Sequence, residues 1–193
     1  MPGRQLTLAA LAALLMLGAA PSWGQVTNAQ SQGEEKTKAV GKLDLETYVQ
    51  AAAIGDMFEI ESAKLVAERS QEPGMRSFAM TLIADHTKLQ TQLQRLLAED
   101  GHDALLPARL DTPHMQMLER LEQTGGSDFD RLFVQAQIAA HKEAIRIHEA
   151  YYTTGDDHDL VGFAGEALKV VRRHHDMLKK GVSPLDTAIR QAL

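Results

Sequence analysis

The chain has 193 residues, enough for one domain with extensions. With 20 Lys+Arg against 26 Asp+Glu its formal charge is -6, which gives a nucleic-acid partner no electrostatic support. It contains no Cys, which excludes disulfides, thiolate nucleophiles, Cys-bound zinc and iron–sulfur clusters.

Arg4 precedes an apolar run from Leu6 to Ala20, broken only by Thr7 and Gly18. Ser22 and Gly24 are placed for cleavage before Gln25, with Ala20 as a second candidate. At about 15 residues the run is shorter than the roughly 20 a membrane span needs. Residues 1–24 are therefore expected to be a cleaved signal peptide that sends the chain to the periplasm or outside the cell, with no stable membrane insertion afterwards. Without a Cys after the run there is no lipoprotein anchor. Without a twin arginine, export is of the unfolded chain, and any metal is acquired afterwards. Residues 25–43 are polar and lack apolar periodicity, as expected of a flexible linker.

Apolar residues at spacings of three and four then predict four long helices. The first runs from about Asp44 to Ser70, with Tyr48, Ala52, Gly55, Glu59, Ser62 and Val66 facing inward. Gly55 on this stripe is expected to let a neighbouring helix approach closely. Pro73 suits the first turn of a second helix, which carries Phe78, Leu82, His86, Leu89, Leu93 and Leu96 and is stopped by Gly101. A connection of about 25 residues follows, long for a bundle loop. It contains a short helix from Pro113 to about Gln123, capped by Asp111 or Thr112 and ended by Gly125-Gly126. Ser127 is expected to cap the next helix, with Asp130 in capping-box position. That helix reaches about Tyr152 through Phe133, Ala136 or Gln137, Ala140, Ala144, Ile147 and Tyr151. Gly155-Asp156-Asp157 turns the chain and caps the last helix, from about His158 to Lys180, with Leu160, Ala164, Ala167, Val171, His174 and Leu178 inward. Residues 182–193 form a tail.

Helices of similar length bury their apolar stripes against one another. Two tight hairpins joined by one long connection favour an all-α, ferritin-like four-helix bundle over residues 44–181, with a crossover that carries the short helix.

Several segments resemble one bacterial family: Tyr48-Val49-Gln50-Ala51-Ala52-Ala53-Ile54-Gly55-Asp56-Met57-Phe58-Glu59-Ile60, Phe78 through Lys88 with Asp85-His86, Leu110-Asp111-Thr112-Pro113-His114, Phe129-Asp130-Arg131, His141, and Phe163-Ala164 with His174-His175. The pattern is similar to the family called domain of unknown function 4142 and covers roughly Leu45 to Lys180. The resemblance implies a ferritin-like bundle, usually secreted or periplasmic, and implies no activity.

Glu59, His86, His141 and His174 fall on or beside otherwise apolar stripes, each roughly 13–17 residues from its helix start and so near mid-bundle. His141 lies one position off its stripe. Asp85 and His175 are neighbours that could substitute if the helical phases shift. A carboxylate and imidazoles converging from four helices suit a transition metal: zinc, iron, manganese or copper. The alternative is a buried polar network that fixes helix register and binds nothing. The paired Glu-x-x-His of di-iron proteins is absent, because Ile83, Ile138 and Val171 stand three residues before these histidines. Ferroxidase chemistry and mineral storage are accordingly not expected. His148 lies two turns beyond His141, too far to share one ion with it directly. His114 and Met117 share a face that suits packing, and His102 and His158, at helix ends, read as surface or cap residues.

The leading expectation is an exported, ferritin-like binding or stress-associated protein without catalysis, whose candidate ligand is a transition metal at mid-bundle. Rivals are a non-metal structural or interaction module that meets a partner or a second copy of itself, and a metal-dependent oxidoreductase.

Overall fold

The computed structural model describes residues 42–102 and 105–180. The expected signal peptide, most of the linker and the tail lie outside the described residues. The described residues form five helices: α1 Leu45–Arg69, α2 Pro73–Glu99, α3 Thr112–Gln123, α4 Gly126–Thr154 and α5 His158–Lys180. Among the described residues there is no strand, as the all-α expectation required. No helix among them is long and apolar enough to cross a membrane.

Local chemistry sets most boundaries. The Asp44 carboxylate accepts from the Thr47 amide, and Asp111 accepts from that of His114, so each satisfies an amide that the first turn leaves free. Asp157 does the same for Leu160. Pro73 opens α2, where its missing N–H costs nothing. At the other end of α2, Gly101 takes φ 72. The His102 amide donates to Leu97 and the Gly101 amide to Ala98, which together make a Schellman termination.

One boundary differs from expectation. Gly125, not Ser127, is the N-cap of α4, and Gly126 takes φ 62 at the turn. Asp130 does not close a capping box; it is buried and accepts from the Ser70 hydroxyl at 3.1 Å. A tertiary partner has claimed a residue that local pattern assigned to the helix end.

The ends of the helices reveal their directions. Tyr48, at the start of α1, stacks on Tyr151, near the end of α4, with ring centroids 3.8 Å apart. At the opposite end, Ser70 after α1 meets Asp130 early in α4. α1 and α4 are therefore antiparallel. Leu89, Leu93 and Leu97 of α2 join Tyr48, Tyr151, Leu160 and Phe163 in one apolar cluster. Met75, Phe78 and Leu82 join Val66, Phe129, Phe133 and Leu178 in another. α2 and α4 thus run the same way, and the segment between them returns along the helices with α3 in it. α3 packs on α1 and α4. Arg69 fastens its end by donating to the carbonyls of Leu121, Glu122 and Thr124, while its guanidinium lies 4.2 Å from the Phe129 ring centre.

The two apolar clusters leave an interval on every long helix. On α1 it holds Asp56 and Glu59, on α2 His86, on α4 His141 and on α5 His174, all buried. A polar layer therefore crosses the middle of an apolar core, an arrangement that costs stability unless its groups find partners.

Two inward assignments change. Leu97 rather than Leu96 is the fully buried residue at the end of α2. Gly55 does not admit a close neighbour: a Cβ placed there meets nothing within 4 Å. Gly55→Ala is accordingly expected to stabilise the protein by about 0.5–1 kcal/mol, because helical glycine is costly and the methyl has room. Urea denaturation of the two proteins checks this, and a destabilised alanine variant would mean that the space is not free.

Candidate metal centre

His86, His141 and His174 come from three helices, and their ring centroids are 5.3 to 5.9 Å apart. One ligand nitrogen from each ring lies within 4.8 Å of the other two. All three are buried, His141 and His174 completely. His141 is at the centre of the buried face of α4, and Ala140 beside it is half-buried.

Each ring is held by a different acceptor. The His86 Nδ1–H donates to Asp56 at 2.8 Å. The His141 Nδ1–H donates to the Gln137 carbonyl at 2.9 Å, an i−4 contact along α4. The His174 Nε2–H donates to Asp85 at 2.8 Å, and Arg173 holds the same carboxylate oxygen at 2.7 Å. A carbonyl or ionised carboxylate can only accept, so these contacts assign the protons. They leave His86 Nε2, His141 Nε2 and His174 Nδ1 as the other ring nitrogens. All three are buried and without a protein partner, as is Nε2 of the neighbouring His175. Imidazoles anchored through one nitrogen, with the other free, are the form in which histidine binds metals.

Glu59 is brought to the cluster but stands outside the three-nitrogen group. Its Oε1 is 3.4 Å from His141 Nδ1, and its Oε2 is buried without a partner. Burial pushes its carboxyl up to about 7, against the pull of His86 and of a Gln137 hydrogen bond. Asp85, half-buried, orients His174 from the edge of the cluster. His175 is buried and belongs to neither group; burial, then the charges of Lys179 and Lys142, lower its pKa.

Asp56 was not among the sequence candidates. It is 5 % exposed, and the signal for it was its position three residues before Glu59 and four after Ala52, on the edge of the inward stripe. Burial raises its pKa, while His86 draws it down. Burial alone would lower the pKa of His86, but the Asp56 hydrogen bond and the Glu59, Asp56 and Asp85 charges carry it above the usual imidazole value. His141 goes the other way: burial, then the charges of His86 and His174, hold it well below. Burial also brings His174 down to about 4, more than Asp85 restores.

The remaining histidines behave differently. His148 is buried, with Nδ1 3.1 Å from the Tyr48 hydroxyl, and is not part of the triad. His114 donates its amide and ring Nδ1–H to the N-cap carboxylate of Asp111, and its ring tilts against Phe58. His158 is fully exposed, as expected.

The chain belongs to the family described as a domain of unknown function (DUF4142), which matches residues 28–180. No curated protein and no solved structure matches it.

Proposed function

We propose that this protein is an exported, ferritin-like four-helix bundle that binds one transition-metal ion through His86, His141 and His174, in a stress-associated periplasmic role. The observation that carries the metal reading is the set of three unpartnered imidazole nitrogens, each on a ring anchored by an acceptor on its far side. In a network serving only helix register, three unpaired buried nitrogens in one cluster would each cost about 1–3 kcal/mol. An ion removes that cost at all three. Charge supports the same reading: Asp56 and Glu59, both buried, balance a divalent ion held by neutral ligands. Three imidazoles suit zinc, copper or iron better than manganese.

The antiparallel pairing of α1 with α4 and the long connection that bears α3 support the ferritin-like plan. The apolar run at Leu6–Ala20 supports export.

One equivalent of zinc or cobalt(II), added to metal-free protein, is expected to raise Tm, and a chelator to reverse the rise. His86→Ala is expected to abolish the response. Elemental analysis of protein isolated from its native compartment identifies the resident ion. Melting that is indifferent to zinc, iron, manganese and copper in turn overturns the reading and leaves a structural polar layer.

A further inference from the structure

A cavity of about 180 Å³ enters the protein between α1 and α4 beside the start of α3. Asp111, His114 and Glu143 lie at its outer part, and Asp56, Glu59 and His86 line its depth. Between them the walls are mostly apolar, with Ala51, Ala52 and Gly55 on α1 and Ala140 and Ala144 on α4 small, and Ile54, Ile147, Val171 and His148 completing the lining. The volume is generous beside an engineered cavity of about 150 Å³ that takes up benzene. Two of its lining residues, Glu59 and His86, each have a buried atom that no protein group satisfies.

Three imidazoles fill three positions around a tetrahedral ion and leave a fourth, the arrangement of metal sites that receive an exogenous ligand. The cavity reaches His86, one of those three, while His141 and His174 do not line it. Its lining holds four carboxylates, Asp56, Glu59, Asp111 and Glu143, and no Lys or Arg. An anion is therefore repelled along the route, and a cation meets the charge of the ion at its end. What remains favoured is a small uncharged molecule with a lone pair.

We propose, building on the metal reading above, that this cavity is a binding site for a small neutral lone-pair donor, of up to about six heavy atoms by the cavity comparison, which occupies the fourth coordination position of the ion. The protein is on this account a site for metal-centred chemistry on a small neutral molecule rather than a closed structural centre.

Free imidazole in mildly alkaline buffer, where it is uncharged, is a probe of this kind. It is titrated into the cobalt(II)-loaded full chain while the visible absorption is followed and cobalt retention is measured. The expected result is a saturable spectral change with cobalt retained, and a much weaker response to azide. Gly55→Leu fills the cavity from α1 and Ala144→Leu from α4. Each is expected to keep one cobalt and the ligand-free spectrum but to lose at least about tenfold in imidazole affinity, the cost of excluding a ligand from its pocket. Two variants on opposite walls keep the test open if one fails to fold. No spectral change in the loaded wild type, removal of cobalt by imidazole, equal binding of azide, or variants that respond like wild type each overturn the proposal while the metal reading stands. A chain that binds no cobalt overturns both.

Discussion

Asp56→Ala is expected to destabilise the metal-free protein by about 3–5 kcal/mol, the usual effect of removing one partner from a buried ion pair. Asp56 and His86 are 2.8 Å apart with side chains only 6 % and 2 % exposed, so solvent cannot take over the lost contact. The raised pKa of His86 depends on that carboxylate. Without it, burial dominates and the ring turns neutral, which reduces the damage toward the lower end of the range. The same change is expected to weaken metal binding by about 10–100-fold, because the Nδ1–H loses the acceptor that orients the ring. Asp56→Asn separates the two effects. Its amide oxygen still accepts from Nδ1–H, so metal affinity recovers most of its value, while the electrostatic part of the stability stays lost. Urea denaturation without metal and competitive zinc titration provide the two readouts. An Asp56→Ala protein that binds zinc as tightly as wild type would remove Asp56 from the site.

That Asp56 had to come from the structure follows from the geometry of a helix. From Ala52 an inward stripe continues equally well through Gly55, three residues on, or Asp56, four on, since 3.6 residues make a turn. The apolar preference selects Gly55, and with it a close helix approach that the structure does not contain. His86 and His174 were legible because they sit in register with leucines and alanines on both sides. His141 was displaced by one position because Ala140 is the more apolar neighbour, yet α4 turns His141 inward. Caps at Asp111 and Asp157 were legible because each serves an amide three residues away. Asp130 was not, because its partner Ser70 belongs to the far end of another helix. Local chemistry writes itself into neighbouring residues; a contact between helices leaves only a polar letter in an apolar stripe.

Nor does the sequence state which nitrogen of each ring is free. That depends on acceptors supplied by α1 for His86, by α4 itself for His141 and by α2 for His174. Asp85 stood next to His86 as its possible substitute, but it serves His174 across the helix pair instead. The adjacent carboxylate and imidazole therefore act on different rings.

Acidification is expected to unfold the metal-free protein within a window set by these rings. The folded-state pKa values of His148 and His174 fall from 6.5 to about 4, and that of His141 falls well below 6.5, burial being the leading cause for each. A histidine lowered in this way binds its proton in the unfolded chain first, so its contribution to stability is complete above 6.5 and is lost as pH falls toward 4. Glu59 acts in the opposite sense. Its carboxyl rises from 4.5 to about 7, so the folded state binds the extra proton and loses stability as pH rises through that interval. Between 4.5 and 6.5, three histidines set against one glutamate leave the unfolded chain with two more protons from these groups. Asp56, also raised, takes back part of that difference. His86, whose pKa is raised above 6.5, is protonated in both states there and adds no slope. Stability should therefore fall by roughly 1–3 kcal/mol for each pH unit of acidification. Equilibrium urea denaturation of the chelator-treated protein across this range tests the sign directly. Glu59→Gln should steepen the dependence, because it removes the one opposing proton among the four. A midpoint that holds steady or improves toward acid would show that Glu59 and Asp56, not the histidines, govern the layer. In the loaded protein the same protons compete with the ion for the imidazoles, so metal release and unfolding are expected to coincide within the window rather than follow one another.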